Sequence, residues 1–204
     1  MPSAPMGARI LDLGAGNGWM SFRLALAGYK PCAVDLLTNP FDGLGAAERY
    51  RKYLPCLFPR FQAEVAHLPF QDAQFDAIVF NASFHYAEDA TGSLREAMRC
   101  VKSSGITIIC DSPWYSCEES GNAMVSERRA KFQQSYGTAS ASIDSVEFLT
   151  DDRLQSLSER LSIRWTAYSP RYGLRWAMRP YAARLKGRRE PARFRVYVAQ
   201  RVSG

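Results

Sequence analysis

At 204 residues the chain has room for one domain, and two full catalytic domains are excluded. With 47% hydrophobic and 12% aromatic residues against 23% charged, it can bury a sizeable core, which excludes disordered and fibrous classes. The formal charge of +6 conceals an asymmetry: residues 160–204 hold 12 of the 26 Lys and Arg and one of the 20 acids, a net of +11, so the remainder is acidic at −5.

No apolar run approaches the roughly 20 residues of a membrane span, and the first residues lack the apolar stretch of a signal peptide. A cytoplasmic location without a membrane partner is expected. Five cysteines without a CxxC pair argue against a disulfide framework or a zinc site, and they read as reduced packing thiols. With two histidines, His67 and His85, no metal is expected.

From residue 9 to about residue 111, short apolar runs alternate with helical patterns, which predicts an α/β fold with a parallel sheet. Strands are expected at 9–13, 30–35, 60–64, 76–81 and 105–111, and helices between them. One helix at 19–27 closes on Gly28. Another carries Leu94, Ala97, Met98 and Val101 on one face, behind a cap from Asp89 or Thr91. The rhythm is lost over 112–146, which reads as a lid or insertion with a polar helix at 123–135.

Leu154, Leu157 and Leu161 then mark a helix capped by Thr150 or Asp151, followed by strands at 162–168 and 193–201. In the last strand Phe194, Val196 and Val198 alternate with more polar positions. That alternation predicts a half-exposed or edge strand running antiparallel in an otherwise mostly parallel sheet.

The segment ILDLGAGNGW at 10–19 runs from an apolar strand through Gly14, Gly16 and Gly18 straight into a helix. Such glycines permit left-handed backbone and close ligand approach, and amides at a helix start offer donors. A plain βα turn would not need three of them. A dinucleotide turn spaces its glycines G-x-G-x-x-G, which puts Trp19 where the third glycine belongs, so a pyrophosphate ligand is disfavoured. Asp35 ends the second strand, where a carboxylate can accept from both hydroxyls of a ribose.

With ILDLGAGNG, AVDL, AEVAHLPFQDAQFDAIVFNASFHY and LREAMRCVKSSGITII in this order, the chain resembles the class I S-adenosylmethionine-dependent methyltransferases. It is most similar to the small-molecule branch that includes ubiquinone and menaquinone biosynthesis enzymes. The resemblance covers about residues 8–111 and implies one Rossmann-like, doubly wound domain over 1–204. It further implies that Gly14, Ala15, Gly16, Asn17 and Gly18 hold the methionine part of S-adenosylmethionine, with Asp12 beneath. Asp35 would take the ribose, Leu36 would lie against the adenine, and Glu64 with the Val65 amide would meet the adenine amino group. Asn81 would stand near the sulfonium. Two features depart from the family: residues 102–105 replace its PGG-like turn, and few residues precede the first strand where relatives usually carry a covering helix, so the lid is expected either to be missing or to be supplied by 112–146.

Methyl transfer needs alignment more than a covalent residue, and a base only for a protonated acceptor, for which His85 and Tyr86 are the candidates. For His85 a packing or solvent-facing role is at least as well supported, and Tyr86 reads more as pocket wall than as catalyst. The implied activity is in-line methyl transfer to a small-molecule acceptor. The alternatives are an RNA-directed methyltransferase using the basic C-terminal segment and a non-catalytic cofactor-binding protein. Arg171, Arg175 and Arg179 would share a face if helical, and Trp114, Tyr115, Tyr136 and Trp176 could line one pocket, although a solvated face and ordinary packing are the simpler readings.

Overall fold

A computed structural model describes residues 5–138 and 144–202, so residues 139–143 of the expected lid lie outside the described residues. In chain order the strands are β1 (Arg9–Leu13), β2 (Lys30–Asp35), β3 (Arg60–Gln62), β4 (Phe75–Asn81), β5 (Val101–Cys110), β6 (Pro113–Trp114), β7 (Ile163–Tyr168), β8 (Arg193–Phe194) and β9 (Val196–Arg201). The helices are α1 (Trp19–Leu26), α2 (Ala90–Cys100), α3 (Glu118–Tyr136), α4 (Asp151–Leu161), α5 (Leu174–Ala177) and α6 (Arg179–Leu185).

Seven strands form one sheet in the order β3-β2-β1-β4-β5-β9-β7. Its first five are mutually parallel, and β9 runs antiparallel to both of its neighbours. Because the order turns back at β1 and proceeds to β4, the connections leave in opposite directions and open a crevice at the carboxyl ends of these two strands.

Strand periodicity explains the packing. Leu11, Leu13, Ile78, Phe80 and Ile109 point to one side, where they meet Leu94 and Ala97 of α2 and Leu154 and Leu157 of α4. The alternate residues Ile10, Ala77 and Val79 point to the other side, against Met20 and Leu24 of α1. The caps form as the sequence predicts. Asp89 accepts from the Gly92 amide at 2.9 Å, and Thr150 from the Arg153 amide at 3.2 Å.

The structure corrects several expectations. Between β2 and β3 the chain forms a 3-10 helix, Leu44–Tyr53, and no helix joins β3 to β4, so the alternation is incomplete. The polar helix is longer than its pattern, because Cys117 precedes it in extended conformation and Gly137 ends it at φ 69°.

The C-terminal strand breaks after Phe194 and lies between β5 and β7, leaving β7 at the edge. Its buried side chains are Tyr197 and Ala199. Arg171 precedes α5, so the three arginines do not share one continuous helix. Trp114 and Tyr115 are core residues while Tyr136 is exposed, so the four aromatics do not converge. Cys56 and Cys117 are exposed rather than packed.

Candidate functional site

Gly14, Gly16 and Gly18 all adopt left-handed backbone, at φ 69°, 52° and 75°. The turn leaves β1 and is fastened at once to the end of β2, where the Val34 carbonyl accepts from the Gly14 and Ala15 amides at 2.9 and 3.0 Å. A Cβ on Gly14 would stand 2.4 Å from that of Ser83, whose hydroxyl donates to the Leu13 carbonyl at 2.5 Å. A Cβ on Gly18 would meet the Phe58 ring at 2.9 Å. Gly16 differs: its nearest neighbour in that direction is the Asp42 carbonyl at 3.5 Å, so space remains beside it.

Few of the turn's amides remain as donors. Gly16 donates to Asp35 at 2.8 Å, Gly18 to the Ala15 carbonyl at 2.8 Å, and Trp19 to the Asn17 side chain at 3.1 Å. The helix start therefore satisfies itself, and what it offers a ligand is shape and acceptors rather than the anion cradle expected from its position.

Asp12 lies beneath the turn and is almost wholly buried. One carboxylate oxygen takes the Ser21 hydroxyl at 2.7 Å and the Ser21 amide at 3.1 Å, and the other is buried without a partner. Burial lifts its pKa to about 6, the Ser21 bonds oppose the rise, and the Asp35 charge adds to it. Asp35 itself takes the Gly16 amide on one oxygen and the Leu37 amide on the other, both at 2.8 Å. Ionised, it retains acceptor sites for further donors.

The remaining predicted residues surround these two. Leu36 is exposed just past Asp35, and its carbonyl accepts from Gln62 at 3.0 Å. Glu64 lies beyond β3 rather than in it, 3.3 Å from the His67 ring, and Val65 packs against the core. Asn81 ends β4, with its side-chain oxygen 3.4 Å from the Cys110 thiol. Three of the predicted groups, Asp12, the glycine turn and Asp35, are thus physically joined around the carboxyl ends of β1 and β2.

His85 and Tyr86 sit on a short 3-10 turn, Phe84–Tyr86, beyond β4. The His85 ring is buried 3.3 Å from the Ser112 hydroxyl, and burial lowers its pKa, so it is neutral at pH 7. Tyr86 is exposed. Ser21, Ser83 and Gln62, which position the site, carry no motif of their own. They are serines and a glutamine of ordinary spacing whose roles exist only through distant partners.

Residues 11–109 match a family described as a methyltransferase domain. Demethylmenaquinone methyltransferase of Clavibacter sepedonicus is 31% identical over 105 residues, 52% of this chain and 41% of that protein. Malonyl-[acyl-carrier protein] O-methyltransferase of Erwinia pyrifoliae is 31% identical over 97 residues, 48% of this chain and 34% of that protein. The matched region therefore spans well under half the length of these relatives. The YcgJ protein of Bacillus subtilis shares the fold, with a TM-score of 0.68 at 14% identity, covering 98% of this chain and 95% of that one. Residues 11–109 thus carry sequence similar to a methyltransferase domain, on a fold shared with that solved structure.

Proposed function

We propose that this protein transfers a methyl group from S-adenosylmethionine to a small-molecule acceptor. The observation that carries this reading is the buried Asp12 oxygen without a donor, beneath a turn whose own amides are mostly engaged. A buried acceptor in that state favours a ligand that brings donors and positive charge. S-adenosylmethionine carries an ammonium and a sulfonium, and none of the residues gathered here is a Lys or Arg that would compete with them.

Asp12 and residues 14–18 hold the methionine part and Asp35 takes the ribose. Leu36, Glu64 and the Val65 amide receive the base, with the Asn81 main chain beside the reacting end. Once bound, the cofactor supplies an electrophilic methyl group on sulfur. The chain's contribution is alignment for an in-line displacement and exclusion of water, since positive charge disappears in the transition state and needs no anionic nucleophile from the protein.

His85 is neutral at pH 7 and can accept a proton where the acceptor must lose one, with Tyr86 as outer wall. Residues 112–138 and 144–146 cover the acceptor side. Within them α3 is tied down by Glu118 to Arg153 at 2.7 Å and by Arg128 to Glu147 at 2.5 Å.

The test is transfer of labelled methyl from S-adenosylmethionine to fractions of a metabolite extract. Label should enter a small-molecule fraction with the native protein and fail to do so with Asp35→Ala. Label appearing only in RNA would replace the acceptor class, and absence of transfer despite cofactor binding would leave a binding protein.

A further inference from the structure

The segment between β7 and β9 carries nine cations and one acid, and apart from Arg179 the cations divide into two groups. Arg189, Arg193 and Arg195 face Glu127, Glu190 and Asp151 at 2.7, 3.3 and 3.4 Å. By contrast Arg171, Arg175, Arg184, Lys186 and Arg188 have no carboxylate within ion-pair distance among the described residues, and all five are exposed. Uncompensated charge is thus concentrated around α5 and α6.

The apolar residues of the same segment divide as well. Trp176, Pro180 and Ala183 are half-buried and face inward, Trp176 lying 6.3 Å from the Phe194 ring of β8 and under the Arg179 guanidinium at 3.9 Å. Leu174, Met178, Tyr181 and Leu185 recur at steps of 4, 3 and 4 and are 79%, 51%, 66% and 89% exposed. At about 100° per residue these four fall on one narrow stripe opposite Trp176 and Ala183, because Met178 bridges α5 and α6 with helical φ and ψ of −80° and −10°. On the same wheel Arg175 and Lys186 flank one side of the stripe and Arg184 the other.

We infer that α5 and α6 lie on an anionic membrane surface, with Leu174, Met178, Tyr181 and Leu185 entering the interfacial layer and Arg175, Arg184 and Lys186 resting on lipid phosphates. An apolar stripe bordered on both sides by unpaired cations suits an interface that is hydrocarbon below and anionic at the headgroups. RNA would satisfy the cations but leave four exposed apolar side chains in water. A protein partner would require acids matched to cations on both flanks of a stripe of two leucines, a methionine and a tyrosine, whereas a bilayer meets both demands without register.

No helix among the described residues is long and apolar enough to cross a membrane, so the contact is with the surface. The segment returns through β8, which pairs with β6 just beyond the carboxyl end of β5.

The inference is independent of methyl transfer, and its test uses neither cofactor nor acceptor. Cosedimentation is measured with vesicles of mixed phosphatidylglycerol and phosphatidylcholine and with vesicles of phosphatidylcholine alone. The native protein should bind the anionic vesicles at least about tenfold more tightly and release them as salt rises. Leu174→Ser with Leu185→Ser should weaken this binding by about tenfold, and Arg175→Glu with Arg184→Glu by about thirtyfold or more. The substituted side chains are exposed, so the thermal midpoint should hold, and it is measured alongside. Failure of the native protein to bind anionic vesicles overturns the inference whatever the variants do. Binding that survives the serine pair but not the glutamate pair, together with tight binding to RNA, overturns it in favour of a nucleic-acid surface.

Discussion

Ser21 holds one oxygen of the Asp12 carboxylate twice, through its hydroxyl at 2.7 Å and its amide at 3.1 Å, while the other oxygen is buried without a donor. The carboxylate is therefore fixed in place and incompletely satisfied, the state in which a ligand's donor gains most from arriving.

The first prediction concerns pH. Burial raises the Asp12 pKa to about 6, so the folded chain holds this proton more tightly than the unfolded one. The group's stabilising contribution is complete below the ordinary carboxylate range and is lost as pH rises through about 6. Asp12→Asn, which removes the titration, should gain in stability relative to the native protein across that interval, by up to about 3 kcal/mol. Urea unfolding of both proteins at a series of pH values checks this; a constant difference between them would mean that Asp12 does not titrate there. Saturating S-adenosylmethionine should reverse the gain, because its ammonium favours the charged carboxylate.

Asp35 joins the turn to the following loop by accepting from Gly16 and Leu37. A carboxylate at a strand end, taken alone, predicts that Asp35→Ala weakens cofactor binding with little loss of stability. The two amide bonds revise that expectation. Stability should fall by about 1–2 kcal/mol, and cofactor affinity by roughly tenfold to a hundredfold. Asp35→Asn keeps one acceptor oxygen and should fall between the two. Calorimetric titration with parallel denaturation separates the losses, and unchanged affinity in a folded variant would remove Asp35 from the site.

Ligand selectivity follows from the engaged amides. S-adenosylmethionine and its demethylated product should bind, whereas NAD and NADP should not, since a pyrophosphate needs free donors and the G-x-G-x-G spacing lacks the third position of a dinucleotide turn. Calorimetry with all four compounds decides it. Tighter binding of either dinucleotide would overturn the assignment.

The three glycines should differ under substitution. Gly14→Ala meets Ser83 at 2.4 Å as well as the left-handed penalty, whereas Gly16→Ala meets only the latter. Gly16→Ala should cost about 1–2 kcal/mol of stability, and Gly14→Ala a further 1–3 kcal/mol or so from overpacking. Adding Ser83→Gly should recover part of the second loss and none of the first. Equal costs at the two glycines would show that the Ser83 contact yields freely.

Much of this was legible from residue order. Apolar runs such as AIVF and ITIIC predict strands covered on both faces, and Phe80 and Ile109 are buried in the sheet's middle. The glycine turn and Asp35 could be read because their demands are local: positive φ at three alternating positions, and a carboxylate at the end of a strand. The position of the site at the carboxyl end of β1 was legible too, because the glycine turn follows that strand directly.

What tertiary structure alone decided was pairing and facing. Ser83 reaches Leu13 from 70 residues away, and no spacing rule foretells which serine will. Along β9, alternation shows that Val196 and Val198 share one side and Tyr197 and Ala199 the other, but which side is buried depends on the strand's insertion between β5 and β7. The same holds for α5 and α6, where spacing groups Leu174 with Met178, Tyr181 and Leu185, yet only docking of Trp176 toward Phe194 turns that stripe outward. Periodicity determines which residues share a face; what that face meets is determined by chain segments far away in sequence, because burial is a property of the assembled surface and not of the element.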